Sequence, residues 1–467
     1  MPPLVLALDL GGHAARLHAY APSGKRLVEI EQPIETQHPA PGRVEHDADQ
    51  LLAACRSALR LGLAQLGPSA VPLPLAISCQ RASVLAWRVD NCQPLSPVLS
   101  WQDSRAQPRI DALRPHWPQL QQISGLRPNA FVGASKLAWL VEHIGGLSAA
   151  LRAGTAVVGP LGCFLQQALL RAARPRCSFS LAQRSLLFEI ERQQWSHTAC
   201  EMFGLPASYL PAVEPDLQSA PFDQIEVEAV QLQCRLQAGD QNLLPAALSE
   251  HGVAPPIINL GTGAFVLCSG RSPDPRLLRS LLPDGLIAAE GTVNAAGAAF
   301  DALARRQAWS AIPWAEIGAP QADSPLCLPA PSGLGSPDWR SESRFEFSAE
   351  PDSPRAAMTA VAEGIAFLLR RNLDAMQTSG TEPVALGGGL SRSAEFCQLL
   401  ADALQRELYL LSEDELSSYG AARLLWRQYG VELPVASSAR HFRPTADHAV
   451  RVERRYRTWQ TRFLLSE

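Results

Sequence analysis

A strand–turn–strand pattern occurs twice in this chain, and this repeat constrains the fold more than any other feature. The first copy reads ALDLGGHAARLHAY and the second reads IINLGTGAFVLCSG, each with a glycine turn between two apolar strands. The copies lie about 250 residues apart in a chain of 467 residues, so the repeat predicts two related halves. Strand and helix patterns alternate along the chain, which predicts an α/β fold.

The periodicity of apolar residues places the main elements. Strands are predicted over residues 4–9, 16–20, 27–34, 73–79 and 83–89, and strands adjoining glycine turns over 255–269 and 383–389. Helices are predicted over residues 47–66, 133–144, 160–172, 291–306, 356–376 and 394–406. The segment 316–338 is predicted to be an ordered loop, and the Arg-rich tail from residue 440 to be a solvated helix or strap.

Charge and composition argue against several classes of protein. The formal net charge is −4 at pH 7, without the basic excess that a nucleic-acid or anionic-membrane partner requires. The sequence shows no run of about 18 apolar residues for a membrane span and no basic region of a signal peptide. The ten cysteines form no CxxC pair, so we expect reduced, buried thiols in the cytoplasm rather than a zinc or redox motif.

Three glycine turns follow predicted strands, and each can expose backbone N–H groups to an anion. They contain the residues Gly11 and Gly12; Gly261, Thr262 and Gly263; and Gly387, Gly388 and Gly389. None matches the P-loop or the dinucleotide-binding fingerprint. Taken singly, each of them is better explained by plain turn geometry than by phosphate binding.

Two acids lie near these turns. Asp9 ends the first strand, and Asp240 lies about 20 residues before the second turn. Phosphoryl transfer needs a metal that neutralises the phosphates and a carboxylate that accepts the proton of the attacking hydroxyl. Asp9 suits the first role and Asp240 the second. From spacing alone, an Asx-turn or a helix cap is the simpler reading of both.

A resemblance to a known family covers the chain from about residue 4 to about residue 427, in order and in register. The matching segments are LDLGGHAAR, QRASVLAWRVDNCQPLSPVLSWQDSRA, SGLRPNAFVGASKLAWLVEH, AQRSLLFEIERQQW, FGLPASYLPAV, AGDQNLLPAAL, NLGTGAFVLCSG, PAPSGLGSPDW, ALGGGLSRSAEF and SSYGAARLL. The sequence resembles the FGGY family of carbohydrate kinases and, within it, looks most similar to the glycerol kinases.

The resemblance implies an actin- and hexokinase-like (ribonuclease H-like) fold of two domains with a cleft between them. It implies transfer of the γ-phosphoryl group of ATP, with Mg²⁺, to a sugar or polyol hydroxyl. The expected domains are residues 1–247, which bind the sugar or polyol, and residues 248–467, which bind the nucleotide. Dimers are common in the family, so a homodimer is an open option.

The resemblance also implies roles for single residues. Asp240 matches the catalytic base and, with Asp9, the metal-binding set. The matching nucleotide positions are Gly11, Gly12, Arg16, Gly261, Thr262, Gly263, Gly297, Asp301, Gly388, Gly389 and Ser393. The matching acceptor positions are Arg81, Ala82, Trp101, Phe131, Asp240, Gln241 and Phe265. Without the resemblance, these last residues also suit core packing, an ion pair or a helix cap.

Several positions depart from the pattern of the family. Gly12 and Ala14 replace hydroxyl residues of the first phosphate motif, and we expect a weaker or altered grip on phosphate. Ala82 stands where glycerol kinases have glutamate and Phe131 where they have tyrosine, which predicts an acceptor larger than glycerol. Asp301 and Ser393 also replace amide residues, so nucleotide preference is open, with ATP expected.

Two alternatives to an active kinase follow from these departures and from the fold. One is a catalytically silent relative that binds a sugar or nucleotide and regulates another process. The other is a chaperone-like ATPase of the same broad fold, for which the sequence offers no peptide-binding domain. Replacing Asp240 separates the first alternative from a kinase, because only a kinase loses turnover.

Overall fold

The computed structural model describes residues 2–249, 254–270, 274–378, 382–413 and 415–465. The chain forms two compact units that are not consecutive in sequence. The first unit contains Met1–Leu248, Arg279–Ile287 and Glu415–Val435, and the second contains Ser249–Leu278, Ala288–Asp414 and Ala436–Glu467. The domain boundary predicted after residue 247 lies one residue before Leu248, where the first segment of the first unit ends. In the described part of the chain, no helix combines the length and hydropathy that a membrane span needs.

The strands are numbered along the chain. They are β1 (Val5–Leu10), β2 (Ala14–Tyr20), β3 (Arg26–Pro33), β4 (Gln37–Ala40), β5 (Arg43–His46), β6 (Leu73–Cys79), β7 (Val84–Arg88), β8 (Val98–Leu99), β9 (Ala156–Pro160), β10 (Arg176–Ser178), β11 (Phe188–Glu189), β12 (Gln194–Trp195), β13 (Ala212–Glu214), β14 (Asp223–Val227), β15 (Val230–Gly239), β16 (Ile257–Leu260), β17 (Ala264–Ser269), β18 (Leu278–Leu281), β19 (Ile287–Val293), β20 (Cys327–Ala330), β21 (Arg344–Phe347), β22 (Val384–Gly387), β23 (Leu408–Leu411) and β24 (Ser438–Phe442).

The helices are numbered in the same way. They are α1 (Ala48–Leu66), α2 (Gln107–Ala112), α3 (Trp117–Ser124), α4 (Gly133–His143), α5 (Leu147–Arg152), α6 (Leu161–Leu170), α7 (Phe179–Gln183), α8 (His197–Phe203), α9 (Leu244–Leu248), α10 (Gly297–Arg306), α11 (Pro354–Ala375), α12 (Ala394–Leu404), α13 (Leu416–Arg427) and α14 (Ala449–Phe463).

The first unit is built on a six-stranded sheet in the order β14-β15-β6-β1-β2-β3. Strands β1 and β2 form an antiparallel hairpin, whereas β6 runs parallel to both β1 and β15. All six residues of β1 are buried, as expected for a central strand covered on both faces. The helix predicted from apolar periodicity over 47–66 is α1, which begins where Asp47 accepts a hydrogen bond from the Gln50 backbone N–H. A second sheet in this unit has the order β4-β5-β8-β7-β9.

The second unit repeats the plan of the first. Strands β16 and β17 form an antiparallel hairpin, β19 pairs antiparallel with β17, and β22 pairs parallel with both β16 and β23. The order β19-β17-β16-β22-β23 therefore corresponds to β3-β2-β1-β6-β15 of the first unit. The predicted α/β class and the duplicated plan are confirmed.

One predicted helix begins later than expected. The sequence predicted a helix over 291–306, but residues up to Val293 belong to β19, and α10 begins at Gly297. Gly291 pairs with Val266 of β17, and a Cβ atom on it would lie 2.3 Å from the Asn372 side-chain oxygen. This close approach requires glycine for a tertiary reason, which helical periodicity does not show.

The C-terminal tail is a helix, but the prediction that it is merely solvated is wrong. Val452, Tyr456, Trp459 and Phe463 recur at helical spacing on α14 and are buried in the core of the second unit. Strand β24 pairs with β23. The segment 316–338 is ordered as predicted and contains β20. All ten cysteines are free thiols, and most are buried.

Candidate active site

The first unit collects its predicted catalytic acids at one edge of the large sheet. Asp9 lies near the end of β1, in register with Ser78 of β6, and Asp240 directly follows β15. Ser78 is also in register with Ala238 of β15. Because β1, β6 and β15 are parallel neighbours, their carboxyl ends bring these side chains to the same edge. Such edges are where open α/β sheets bind ligands.

Asp9 is a buried carboxyl group whose charge is disfavoured. The Ser78 hydroxyl donates a hydrogen bond to Asp9 Oδ1. The pKa of Asp9 is raised to about 7, mainly by burial and to a smaller extent by the charge of Asp240. The hydrogen bond from Ser78 opposes this shift. The dependence on Asp240 shows that the two carboxyl groups interact electrostatically.

Asp240 is held by an arginine and by its own loop. The Arg81 Nε lies 4.0 Å from Asp240 Oδ1, and the Gln241 backbone N–H donates to the same oxygen at 2.7 Å. Burial raises the pKa of Asp240, whereas the charge of Arg81 and hydrogen bonds from Gln241 lower it. A Cβ atom on Gly239 would lie 2.6 Å from Arg81 Cγ, so glycine is what allows Arg81 to pass beside the loop.

Arg16 lies directly opposite Asp9 in the hairpin of β1 and β2. Its Nε donates to Glu31 Oε2 at 2.8 Å and lies 3.5 Å from Glu415 Oε1. Sequence reasoning missed Glu415, which precedes α13, because nothing in the sequence connects it to the first hairpin. Arg16 would have to exchange these carboxylates for phosphate oxygens to act as predicted.

The first glycine turn is compact at one residue and open at the next. The Gly11 N–H donates to the Ala14 carbonyl at 3.1 Å, while a Cβ atom on Gly12 would meet nothing within 4 Å. The space at Gly12 is consistent with a ligand approaching the backbone, and it is equally consistent with an ordinary exposed turn.

Two predicted acceptor residues lie on loops tied together by a buried lysine. Lys136 Nζ donates to the carbonyl oxygens of Ser100 at 2.9 Å and Phe131 at 3.1 Å. The Trp101 N–H donates to the Ser83 hydroxyl at 2.9 Å, which ties the same loop to the start of β7. Sequence reasoning missed Lys136, although it is one of two lysines in the chain and lies in the matching segment SGLRPNAFVGASKLAWLVEH.

Ala82 lies between Arg81 and Ser83 and adopts a positive φ of 60°. This left-handed conformation is uncommon for residues other than glycine and indicates a locally constrained backbone. Together, Arg81, Ala82, Trp101, Phe131 and Gln241 all belong to the first unit. Phe265, the remaining predicted acceptor residue, is half-buried on β17 of the second unit.

The second unit brings together its predicted phosphate and adenosine segments. The Gly297 N–H donates to the Gly261 carbonyl, and the Ala298 N–H donates to the Thr262 carbonyl. A Cβ atom on Gly297 would lie 3.0 Å from the Gly261 carbonyl oxygen, and one on Gly388 would lie 2.4 Å from the Leu260 carbonyl oxygen. These close approaches require small residues where α10 and β22 meet the β16–β17 turn.

The remaining predicted nucleotide residues surround these contacts. Thr262 and Gly389 are exposed, and Gly388 has a positive φ of 88°. Asp301 is exposed on α10, one turn after Gly297 and therefore on the same helix face. The Ser393 hydroxyl caps α12 by accepting the Phe396 N–H at 3.2 Å.

Comparison with models of known protein families identifies the family of this chain. The N-terminal domain of the FGGY family of carbohydrate kinases matches residues 4–229, and its C-terminal domain matches residues 257–429. Together these two matches span most of the chain. The chain belongs to the FGGY family of carbohydrate kinases. It is therefore a carbohydrate kinase, which uses ATP as the phosphoryl donor for a sugar or polyol.

Individual relatives agree with this assignment. The FGGY chain is 27% identical to glycerol kinase of Polaromonas naphthalenivorans, over 96% of this chain and 98% of that protein. Its fold is similar to that of Plasmodium falciparum glycerol kinase with ADP, with a TM-score of 0.86, 21% identity and coverage of 100% and 99%. It is also similar to xylulose kinase from Rhodospirillum rubrum, with a TM-score of 0.82, 20% identity and coverage of 98% of both chains.

The acidic edge of this FGGY kinase fits a divalent cation bound mainly by water and phosphate. Among the described residues, no group of three or more His, Cys, Asp or Glu side chains forms a metal cage. Magnesium in phosphoryl-transfer sites typically takes only one or two carboxylates, with the other ligands from water and phosphate. Asp9 and Asp240 provide two, and burial, together with the charge of Asp240, raises the pKa of Asp9, so a cation would favour its ionised form.

Proposed function

We propose that this FGGY kinase phosphorylates a hydroxyl group of a polyol or ketose larger than glycerol, with Asp240 as the general base. The observation that supports the proposal most is the position of Asp240, beside Arg81 and electrostatically coupled to Asp9 at one sheet edge. The first unit would bind the acceptor and the second unit the nucleotide. The expected compartment is the cytoplasm, and a homodimer is an open option.

Asp240 would accept the proton of the attacking hydroxyl. Its burial raises the pKa of this carboxyl group and makes the carboxylate a stronger base than one in water. The charge of Arg81 and the hydrogen bonds from Gln241 oppose this rise of the pKa and so favour the ionised form. The rigid donor fork of Arg81 would also orient the acceptor by binding a neighbouring hydroxyl.

Asp9 and Asp240 would hold Mg²⁺, Asp9 directly or through water. When bound, the cation would neutralise negative charge on the phosphates and help to orient the transferred phosphoryl group for in-line attack. Asp9 must lose its proton for this role. Arg16 would contact the phosphates from the neighbouring strand after leaving Glu31 and Glu415.

The glycine segments of the second unit would bind ATP. The turn with Gly261, Thr262 and Gly263 would bind phosphate through its backbone, although the Gly261 N–H already donates to the Gly263 carbonyl, and the start of α10 at Gly297 packs against it. Gly388 and Gly389 would leave room for the adenosine. Because Ser393 already caps α12, we expect a smaller role for its side chain in nucleotide binding than for the backbone.

The acceptor would be larger than glycerol because two polar groups of the glycerol kinase pattern are replaced. Ala82 provides space where glutamate would bind a hydroxyl, and Phe131 lacks the hydroxyl of tyrosine. Each lost hydrogen bond weakens discrimination for a small polyol by roughly 1–3 kcal/mol. The curated glycerol kinase relatives make glycerol the main competing acceptor.

A catalytically silent regulatory relative is the second candidate. The loss of hydroxyl residues from the first phosphate turn, at Gly12 and Ala14, favours it. The retained pair of Asp9 and Asp240 favours the active kinase, since binding alone does not need a base.

The test is ADP release from MgATP with polyols and ketoses of three to seven carbons, measured one acceptor at a time. We expect a kcat/KM for at least one acceptor of four or more carbons that exceeds the value for glycerol. Equal or better turnover of glycerol would contradict the proposed acceptor. Binding of ATP or sugar without turnover on the whole panel would favour the silent relative.

A further inference from the structure

Two buried polar side chains, neither of which is a predicted acceptor or nucleotide residue, are linked by hydrogen bonds to the backbone just before Asp240. Asp216 precedes β14, and its carboxylate accepts the backbone N–H of Ser180 at 3.0 Å and also the Ser180 hydroxyl. The Ser180 Oγ in turn accepts the N–H of Gly239 at 3.1 Å. Gly239 is bonded to Asp240.

The two side chains are in the interior of the first unit. Ser180 has 0% and Asp216 2% of its surface exposed. Burial raises the pKa of Asp216 to about 7, and hydrogen bonds from Ser180 oppose the rise. Burying a carboxylate is unfavourable unless it is hydrogen-bonded, so the pair of Ser180 and Asp216 is not explained by core packing alone.

The direction of the hydrogen bonds matters for the loop. The Ser180 hydroxyl has a single proton, and it donates that proton to Asp216. The lone pairs of Ser180 Oγ are then left to accept the Gly239 N–H. Asp216 thereby orients Ser180, and Ser180 fixes the peptide that leads into Asp240.

The neighbouring contacts restrain the same strand end. Asp216 also accepts the Gln237 N–H at its backbone carbonyl, at 3.0 Å, and Gln237 Oε1 accepts the Ser178 N–H at 2.7 Å. Gly239 lacks a side chain where Arg81 passes, so it has no side-chain contacts of its own to hold it. Gly239 is also in register with Cys79 of β6, and the Ser180 hydroxyl adds a side-chain restraint on a peptide with the conformational freedom of glycine.

We propose that Ser180 and Asp216 are positioning residues for the phosphoryl-transfer step, which set the carboxylate of Asp240 through the Gly239 peptide. This inference rests on the proposed role of Asp240 as the base. A shift of about 1 Å in a reacting group can lower the rate by about a hundredfold. A loose Gly239 peptide should therefore slow catalysis while leaving binding of the acceptor nearly intact.

The experiment compares Ser180→Ala, Ser180→Thr and Ser124→Ala with the wild type. Ser124 is a matched control, because it is fully buried in the same unit and its hydroxyl accepts the Leu126 N–H at 3.1 Å. For Ser180→Ala we expect kcat to fall roughly 10- to 100-fold with KM for acceptor and ATP within about twofold. Ser180→Thr keeps a hydroxyl and should recover most of kcat, and Ser124→Ala should stay near the wild-type rate.

Hydrogen exchange of the Gly239 amide gives a readout that needs no turnover. We expect exchange at residues 239–241 to be at least tenfold faster in Ser180→Ala than in the wild type and in Ser124→Ala. An active wild type with unchanged kcat and unchanged exchange in Ser180→Ala would overturn the inference alone. Equal losses in Ser180→Ala and Ser124→Ala would show general destabilisation and would overturn it as well. An inactive wild type would contradict the proposed function and with it the positioning role in catalysis, and the exchange result would then report only whether Ser180 restrains the Gly239 peptide.

Discussion

At the scale of single residues, the candidate site contains two carboxyl groups, and the charge of Asp240 makes ionisation of Asp9 harder. Asp9 has its pKa raised to about 7 by burial and by the charge of Asp240. In the unfolded chain, an aspartate titrates near about 4. Between these values the folded state binds more protons, so the contribution of Asp9 makes stability fall as pH rises from about 4 to 7.

The first prediction follows from this sign. Without Mg²⁺, Asp9→Asn should be more stable than the wild type at pH 8, by up to a few kcal/mol, with a smaller difference at pH 5. Urea unfolding in EDTA at both pH values measures it. Asp90→Asn, at an exposed position, provides a control. If the free energy of unfolding changed with pH in the same way in Asp9→Asn and in the wild type, Asp9 would not have a raised pKa.

Mg²⁺ should shift the equilibrium between the protonated and the ionised form of Asp9. A cation at Asp9 competes with its proton, so the apparent affinity for Mg²⁺ should rise between pH 6 and pH 8. We expect this rise in wild type and its loss in Asp9→Asn, measured as the Mg²⁺ concentration for half-maximal ADP release. If Asp9→Asn is too slow for the assay, Mg²⁺-dependent protection against thermal unfolding gives the same comparison.

The substrate prediction also belongs to this scale. The double substitution Ala82→Glu with Phe131→Tyr should raise kcat/KM for glycerol by about tenfold or more and lower it for larger acceptors. Gln93→Glu, on an exposed loop, adds the same charge elsewhere as a control. A double variant that changes neither value would mean that these two positions do not set acceptor size.

Single residues also show where sequence reasoning ends. Asp9 and Asp240 could be located because they adjoin recognisable strands and motifs, and the structure brings their strand ends together. Glu415 and the pair of Ser180 and Asp216 could not, since their partners lie far away in sequence, and Lys136 also bonds to the distant Ser100. Their importance arises from tertiary contacts in the interior, which local patterns do not encode.

At the scale of elements, the C-terminal helix α14 is an integral part of the second unit. Arg455 forms two hydrogen bonds with Glu363 of α11, at 2.7 Å and 2.6 Å, and both side chains are buried. It also donates to carbonyl oxygens of the segment 321–325. The ion pair therefore joins α14, α11 and a loop that was predicted as ordered.

Breaking this pair should be strongly destabilising. Arg455→Met leaves Glu363 buried without its partner, and we expect a loss of about 3–5 kcal/mol in the free energy of unfolding. Arg457→Met removes an exposed pair with Glu453 and should change stability by less than about 1 kcal/mol. Adding Glu363→Met to Arg455→Met should restore part of the loss, whereas equal effects of Arg455→Met and Arg457→Met would contradict the structural role.

The helix ends show why element boundaries were harder to predict than elements. Helix α1 begins within a residue of the prediction because Asp47 is a local cap. Helix α10 begins six residues late because Gly291 must approach Asn372 in a neighbouring helix. The buried face of α14 was hidden by its many arginines, although Tyr456, Trp459 and Phe463 have helical spacing.

At the scale of the whole molecule, the same strand order occurs in both units, with different chemistry at the corresponding turns. The first copy provides Asp9 and Arg16 beside its glycine turn, whereas the second provides glycines and a threonine. This division suits a kinase in which one unit handles the acceptor and metal and the other the nucleotide. The family assignment and the two-unit plan could be predicted from the repeat and the motifs; the chemical identity of the acceptor could not, since it depends on the shape of a pocket.

The most direct test of the central claim is transfer of a labelled γ-phosphoryl group from ATP to the best acceptor, in wild type and Asp240→Asn. The account predicts a phosphorylated acceptor in wild type and a loss of roughly 100- to 10,000-fold in Asp240→Asn, with acceptor and ATP binding retained. A labelled product formed at similar rates by both proteins would contradict Asp240 as the base.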